Sequence, residues 1–231
     1  MALTPEEIKK HNDARLRRAK AWMKRAKQAD VSKKKSSTDA VDDSAVCFVF
    51  WWIAFEAAFK RGTAQGNGDL FKFINDIGQG GAKKAELEKI LKKHKADADK
   101  LVSLRYIHAG FWVNHRGHGG YRNAKDWEKK FNDEVKKYKD SNTNILKKLG
   151  ILFSRLRVAR NQIFHGANSR HDSWGIMQTK IGAKLLRDFV PFFIKEIEDN
   201  FEHNWEKVPF PHAGKKKNDK NALPPWSTTT T

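Results

Sequence analysis

Apolar side chains in this chain recur at three- and four-residue intervals, and no run alternates with period two for long. Residues 4–29 open on "TPEE". Thr4 is a good N-cap, Pro5 suits the first helical position, and Glu7 completes a capping box. Ile8, Leu16, Ala19, Met23 and Ala26 then form a thin apolar stripe on a helix whose other faces are mostly Lys and Arg. Residues 40–61 are apolar almost all round, from Val41 through Phe48, Trp51, Trp52 and Phe55 to Phe59. Asp39 or Asp43 can cap the start and Gly62 can stop the helix. A helix apolar on every side belongs in the middle of a core, and Glu56 is the one charge that interrupts this stretch.

Asp69 to Ile77 predicts a short apolar helix closed by "GQGG". From Lys84 to about Asn114 the spacing of Leu87, Ile90, Leu91, Leu101, Leu104, Ile107 and Phe111 predicts one long helix, or two broken near Asp97. Trp127, Phe131, Val135 and Tyr138 mark another helix, and residues 142–165 the next. Ile181, Leu185, Phe189, Phe193 and Ile197 mark the last, with a kink expected at Pro191. The expected fold is all-α: a bundle of about five helices. Residues 1–37 read as a basic helical extension ending in the linker "SKKKSST", 38–206 as the bundle, and 207–231 as a flexible basic tail expected to be disordered.

Charge bears on partners more than on fold. Lys and Arg number 46 against 27 Asp and Glu, a formal net charge of +19, so polyanions are attracted. Acidic membranes would be attracted too, but the stripe on 4–29 is thin and the apolar block 45–55 is too short to span a bilayer. Cys47 is the one cysteine, which fits a reducing compartment; the expectation is a soluble cytoplasmic protein. His115, His118 and His171 match no standard zinc spacing, and "GQGGAKK" lacks the strand a phosphate loop needs. No metal or cofactor is expected. The basic loop "HRGHGGYRN" (115–123) offers Arg116 and Arg122 to a phosphate backbone, while Tyr121, with Trp112 just before the loop, can stack on bases, so a nucleic acid is a candidate partner.

The candidate chemistry lies in "ARNQIFHGA", residues 159–167. At about 100° per residue, Ile145, Leu149, Leu152, Leu156, Ala159 and Ile163 share one sector, widened on one side by Leu146, Phe153 and Phe164. Arg160 projects inside this widened apolar face. Asn161 and His165 are one turn apart on the polar side, with Arg157 close by, and Gly166 is the natural residue to end the helix. A guanidinium at an apolar position calls for a carboxylate, and Glu56 is the obvious candidate.

"ARNQIFHG" resembles the Arg-x4–6-His motif of the HEPN superfamily, small α-helical domains found in many RNA-cleaving toxins and defence effectors. "FVFWWIAFEAAF" is similar to the aromatic-rich first core helix of some members, and the resemblance covers roughly residues 40–205. It implies an up-and-down bundle that dimerises, with two motif copies forming one composite cleft. It further implies metal-independent RNA cleavage through the ribose 2′-hydroxyl: Arg160 and Asn161 hold the scissile phosphate, and His165 acts as general base or acid. In the toxin–antitoxin branch, where an antitoxin is the regulatory partner, a modifiable Tyr follows two residues after the His. That position is Ala167 here. Some members are non-catalytic and bind nucleotides or partners.

The chemistry agrees with the residue types. Histidine titrates near neutrality and serves either proton role. Arginine offers a planar fork matched to phosphate oxygens. One chain supplies one such histidine, and a symmetric dimer supplies two.

Overall fold

The computed structural model describes residues 3–31, 43–60, 68–115, 124–165 and 173–208. Every regular element among them is helical: α1 (Pro5–Val31), α2 (Asp43–Phe59), α3 (Gly68–Ile77), α4 (Gly81–Lys93), α5 (Lys95–Val102), a 3₁₀ turn (Arg105–Ile107), α6 (Ala109–His115), α7 (Ala124–Lys139), α8 (Ile145–Phe164) and α9 (Ser173–Asp199). The all-α class is as expected. The described residues form nine α-helices where the sequence predicts seven or eight helical segments, the N-terminal one included, because the stretch from Lys84 to Asn114 is broken twice.

The first break falls at His94, whose Nε2 lies 2.7 Å from Asp188 Oδ2 on α9. The second runs from Ser103 to His108, where Leu104 and His108 are extended and flank the 3₁₀ turn. Helix α9, in contrast, runs through Pro191 without ending.

Helix α2 occupies the centre. From Ser44 to Phe59 none of its residues is exposed, and it packs most extensively on α1 and α9. Phe55 meets Phe153 of α8 and Phe193 of α9 at centroid separations of 4.6 and 5.4 Å. Such aromatic pairs add about 0.5–1.5 kcal/mol each beyond area burial, so these contacts tie three helices together.

Helix α1 begins with the expected capping box: Thr4 N donates to Glu7 Oε2 (2.9 Å) and Glu7 N to Thr4 Oγ1 (3.2 Å). The helix is not a free arm, however. Ala19 and Ala26 are fully buried against the core. Arg15, also 0 % exposed, donates Nη1 to the carbonyls of Ala58 and Lys60 and Nη2 to those of Trp205 and Glu206. These partners include the orphan carbonyls at the C-terminal end of α2, where a cation also complements the helix dipole. Asn12 donates to the carbonyls of Phe201 and His203 one turn away. Residues 5–31, read from sequence as part of an extension, thus belong to the same packed core as α2 and α9. The linker at 32–37 and residues 209–231 of the expected tail lie outside the described residues, while Val208, expected in that flexible tail, is buried.

Candidate functional site

Helix α8 carries the motif and is fixed at both ends. Asn144 caps its start by accepting from Leu146 N at 2.8 Å. Its C-cap is His165, whose backbone N–H donates to Asn161 O at 3.0 Å. Arg160 leaves the helix one and a half turns before that end and reaches Glu56 in the last turn of α2: Nη2 donates to Oε2 at 3.0 Å. The expected pairing is therefore present. Glu56 Oε2 also accepts from Trp52 Nε1 at 3.2 Å, and Lys60 Nζ lies 3.6 Å from Oε1. Arg160 Nη1 donates to Asn161 Oδ1 at 2.9 Å, and the guanidinium carbon sits 4.6 Å from the centre of the Phe164 ring. Three partners thus hold one guanidinium whose side chain remains 28 % exposed.

Phe164 departs from the expectation. The sequence places it beside the apolar sector, but it is 53 % exposed. It lies at the end of α8, and its ring packs on Arg160. His165 is exposed as well. Arg116, Tyr121 and Arg122, the proposed RNA-binding loop residues, lie outside the described residues, as do His118, His171 and Gly166. Trp112 is half-buried and engaged: its Nε1 donates to Tyr106 O at 2.5 Å.

Beside the motif the structure reveals a second group of residues that sequence reading overlooks. His108 (3 % exposed), Glu134 of α7 and Arg155 of α8 (2 % exposed) converge on one carboxylate oxygen. Arg155 Nη2 is 2.8 Å and His108 Nε2 3.4 Å from Glu134 Oε2. Gly110 N donates to His108 Nδ1 at 3.1 Å, which leaves Nε2 as the protonated ring nitrogen facing the carboxylate. Gly110 is required by this close approach, because a Cβ there would lie 2.9 Å from the His108 ring and from Trp127 Cβ. Burial by itself would raise the Glu134 pKa. Hydrogen bonding from His108 and the charge of Arg155 outweigh it and bring the carboxyl below its ordinary value.

The three residues form the floor of a cavity of about 360 Å³. Arg157 and Asn161 line it too, so the motif and the cavity share a wall. Asn161 joins them directly, since its amide oxygen holds Arg160. A signal for Arg155 was present in the sequence. It stands between Leu152 and Leu156, on the flank of the apolar sector opposite Arg160. His108 and Glu134 carry no comparable local signal, because only the turn between α5 and α6 brings them together.

Among the described residues no three His, Cys, Asp or Glu side chains form a group that could hold a metal ion, and no helix is long and apolar enough to cross a membrane. Comparison of the chain with family models, with curated proteins and with solved structures finds no match.

Proposed function

We propose that the protein is a metal-independent endoribonuclease of HEPN type that cuts single-stranded RNA, serves toxicity or defence, and works as a dimer with a composite site. The observation that carries this reading is the held but partly exposed Arg160, fixed by Glu56, Asn161 and Phe164 on the same helix end that carries His165. A guanidinium already fixed loses little freedom when it meets a phosphate. The net charge of +19 supplies the attraction that brings RNA to it.

In the reaction, the imidazole of one His165 takes the proton of the ribose 2′-hydroxyl as the 2′-oxygen bonds to phosphorus. The bond to the 5′-oxygen breaks, and the His165 of the second copy gives that oxygen a proton. Arg160 and Asn161 hold the non-bridging oxygens as charge develops on them, an effect worth about 3 kcal/mol of barrier per well-placed donor. Products carry 2′,3′-cyclic phosphate and 5′-hydroxyl ends. The exposure of Phe164 and His165 supports a second copy at this helix end.

The test is cleavage of single-stranded RNA in EDTA, with the ends identified by mass spectrometry. Wild type is expected to cut, and His165→Ala to stop the cutting while RNA binding stays near normal. A second reading is a non-catalytic nucleic-acid-binding or assembly protein on the same helices. The charge of Arg160 is already offset by Glu56, which favours it. Binding of several RNAs by wild type without cleavage selects this second reading.

A further inference from the structure

We propose that the cavity floored by Glu134 binds a guanine base together with its phosphate. Its part in cleavage rests on the ribonuclease reading above, but the binding of the base does not. A volume of about 360 Å³ suits a small ligand. Glu134 is held at Oε2 by two side chains, His108 and Arg155, that are each at least nine-tenths buried. Both grips fall on Oε2, so the accepting capacity of the carboxylate that remains is centred on Oε1. With its pKa held down, Glu134 stays ionised near neutrality and accepts only.

The rest of the cavity narrows the occupant further. Phe71, 41 % exposed, offers an aromatic surface at the wall. Gly150 of α8 makes room for it, since a Cβ there would lie 2.6 Å from the ring. Lys130 and Arg157 bring positive charge to the same cavity. The occupant should therefore have a flat face, paired N–H donors on one edge and an anion nearby. Guanine alone among the four RNA bases presents two adjacent donors, N1–H and the 2-amino group, on its Watson–Crick edge. Adenine and cytosine set a ring acceptor beside the amino group, and that lone pair would face the carboxylate. Uracil has a single donor between two carbonyls. Reading an exposed base by this edge while an aromatic ring stacks on it is a usual mode of RNA recognition. Because Asn161 belongs to both walls, a base here sets its phosphate toward Arg160.

Calorimetric titration of the whole chain with GMP, AMP, CMP and UMP tests the inference. GMP is expected to bind roughly tenfold or more tightly than the others, as fits one buried polar edge left unpaired. Glu134→Gln is expected to lose that margin. Lys130→Ala, at an exposed position, is expected to weaken GMP several-fold and leave guanosine unchanged. If Glu134→Gln does not fold, the wild-type series and Lys130→Ala decide. Equal binding of the four nucleotides, or none in the millimolar range, overturns the inference. Trinucleotides with and without guanine separate the two sources of the base: tighter binding of a guanine-containing trinucleotide than of GMP assigns the cavity to RNA, and GMP alone assigns it to a free nucleotide. GMP binding without any RNA cleavage removes the ribonuclease reading and leaves the pocket. Cleavage without base preference and without GMP binding does the reverse.

Discussion

Arg155 and Arg160 leave the same helix about 140° apart, at about 100° per residue, on opposite flanks of its apolar sector. Each takes a glutamate from a neighbouring helix at almost the same distance, 2.8 Å to Glu134 and 3.0 Å to Glu56. They differ in what surrounds them. Arg155 is sealed between α7 and the turn before α6, with Phe131 5.5 Å from its guanidinium carbon, whereas Arg160 is open to solvent over more than a quarter of its surface. A cation that water can reach remains able to meet a phosphate. A buried one fixes the protein's own shape, although the two glutamates are about equally exposed, 27 % for Glu134 and 25 % for Glu56. Similar distances therefore conceal two different roles, and burial separates them.

The largest expected contrast is in stability. Arg155→Leu removes a cation that is 2 % exposed from a glutamate that keeps His108, and should cost about 1.5–3 kcal/mol of unfolding free energy. Arg160→Leu leaves Glu56 with Trp52 and Lys60 and with access to water, and should cost about 1 kcal/mol or less. Urea unfolding of the two variants measures both. Equal losses would erase the distinction between the pairs.

Activity should invert that order. Under the proposed mechanism Arg160→Ala lowers the RNA cleavage rate by roughly 10²–10³-fold. Arg160→Lys should recover little, because an ammonium lacks the planar fork. An initial-rate series in EDTA, with folding verified by circular dichroism, measures this. A Lys variant that is fully active would mean that Arg160 supplies charge alone.

A third test uses pH. The Glu134 carboxyl has a lowered pKa in the folded protein, so it contributes stability above its unfolded-state pKa. That contribution fades as pH falls through the lowered folded value. Wild type should therefore lose stability on acidification more steeply than Glu134→Gln, which has no such proton to take up. Unfolding midpoints at a series of pH values between neutrality and the acid limb compare the two.

The same contrast explains what was legible in the sequence. The capping box at Thr4, the buried α2 and the pairing of Glu56 with Arg160 could be read because each leaves a mark within one helix: a spaced motif, an all-apolar run, or a lone charge where none is expected. Arg15 escaped notice because its helix is rich in Lys and Arg, and composition does not show which one turns inward. His108 and Glu134 escaped because their meeting depends on the breaks after Val102 and before Ala109, which helical periodicity carried straight through. A wheel sets Phe164 beside the apolar sector, but its ring packs on Arg160 at the end of α8, a contact that helical periodicity does not show.

The smallest expected effect tests whether Phe164 serves Arg160 or merely lies beside it. A cation over an aromatic face at an exposed site is worth about 0.5–1 kcal/mol. Phe164→Ala removes that contact but keeps the hydrogen bonds of Arg160 to Glu56 and Asn161. If the ring helps hold the guanidinium for phosphate, the cleavage rate should fall roughly two- to fivefold, since each 1.36 kcal/mol off the barrier is tenfold. Phe164→Tyr, which keeps the ring face, should restore the rate. If Phe164 instead packs against a second copy, both variants should shift the monomer–dimer equilibrium seen by analytical ultracentrifugation, the alanine more strongly. A rate loss that persists when the protein is concentrated enough to be fully dimeric would assign the ring to Arg160. A loss that concentration restores would assign it to the contact between copies.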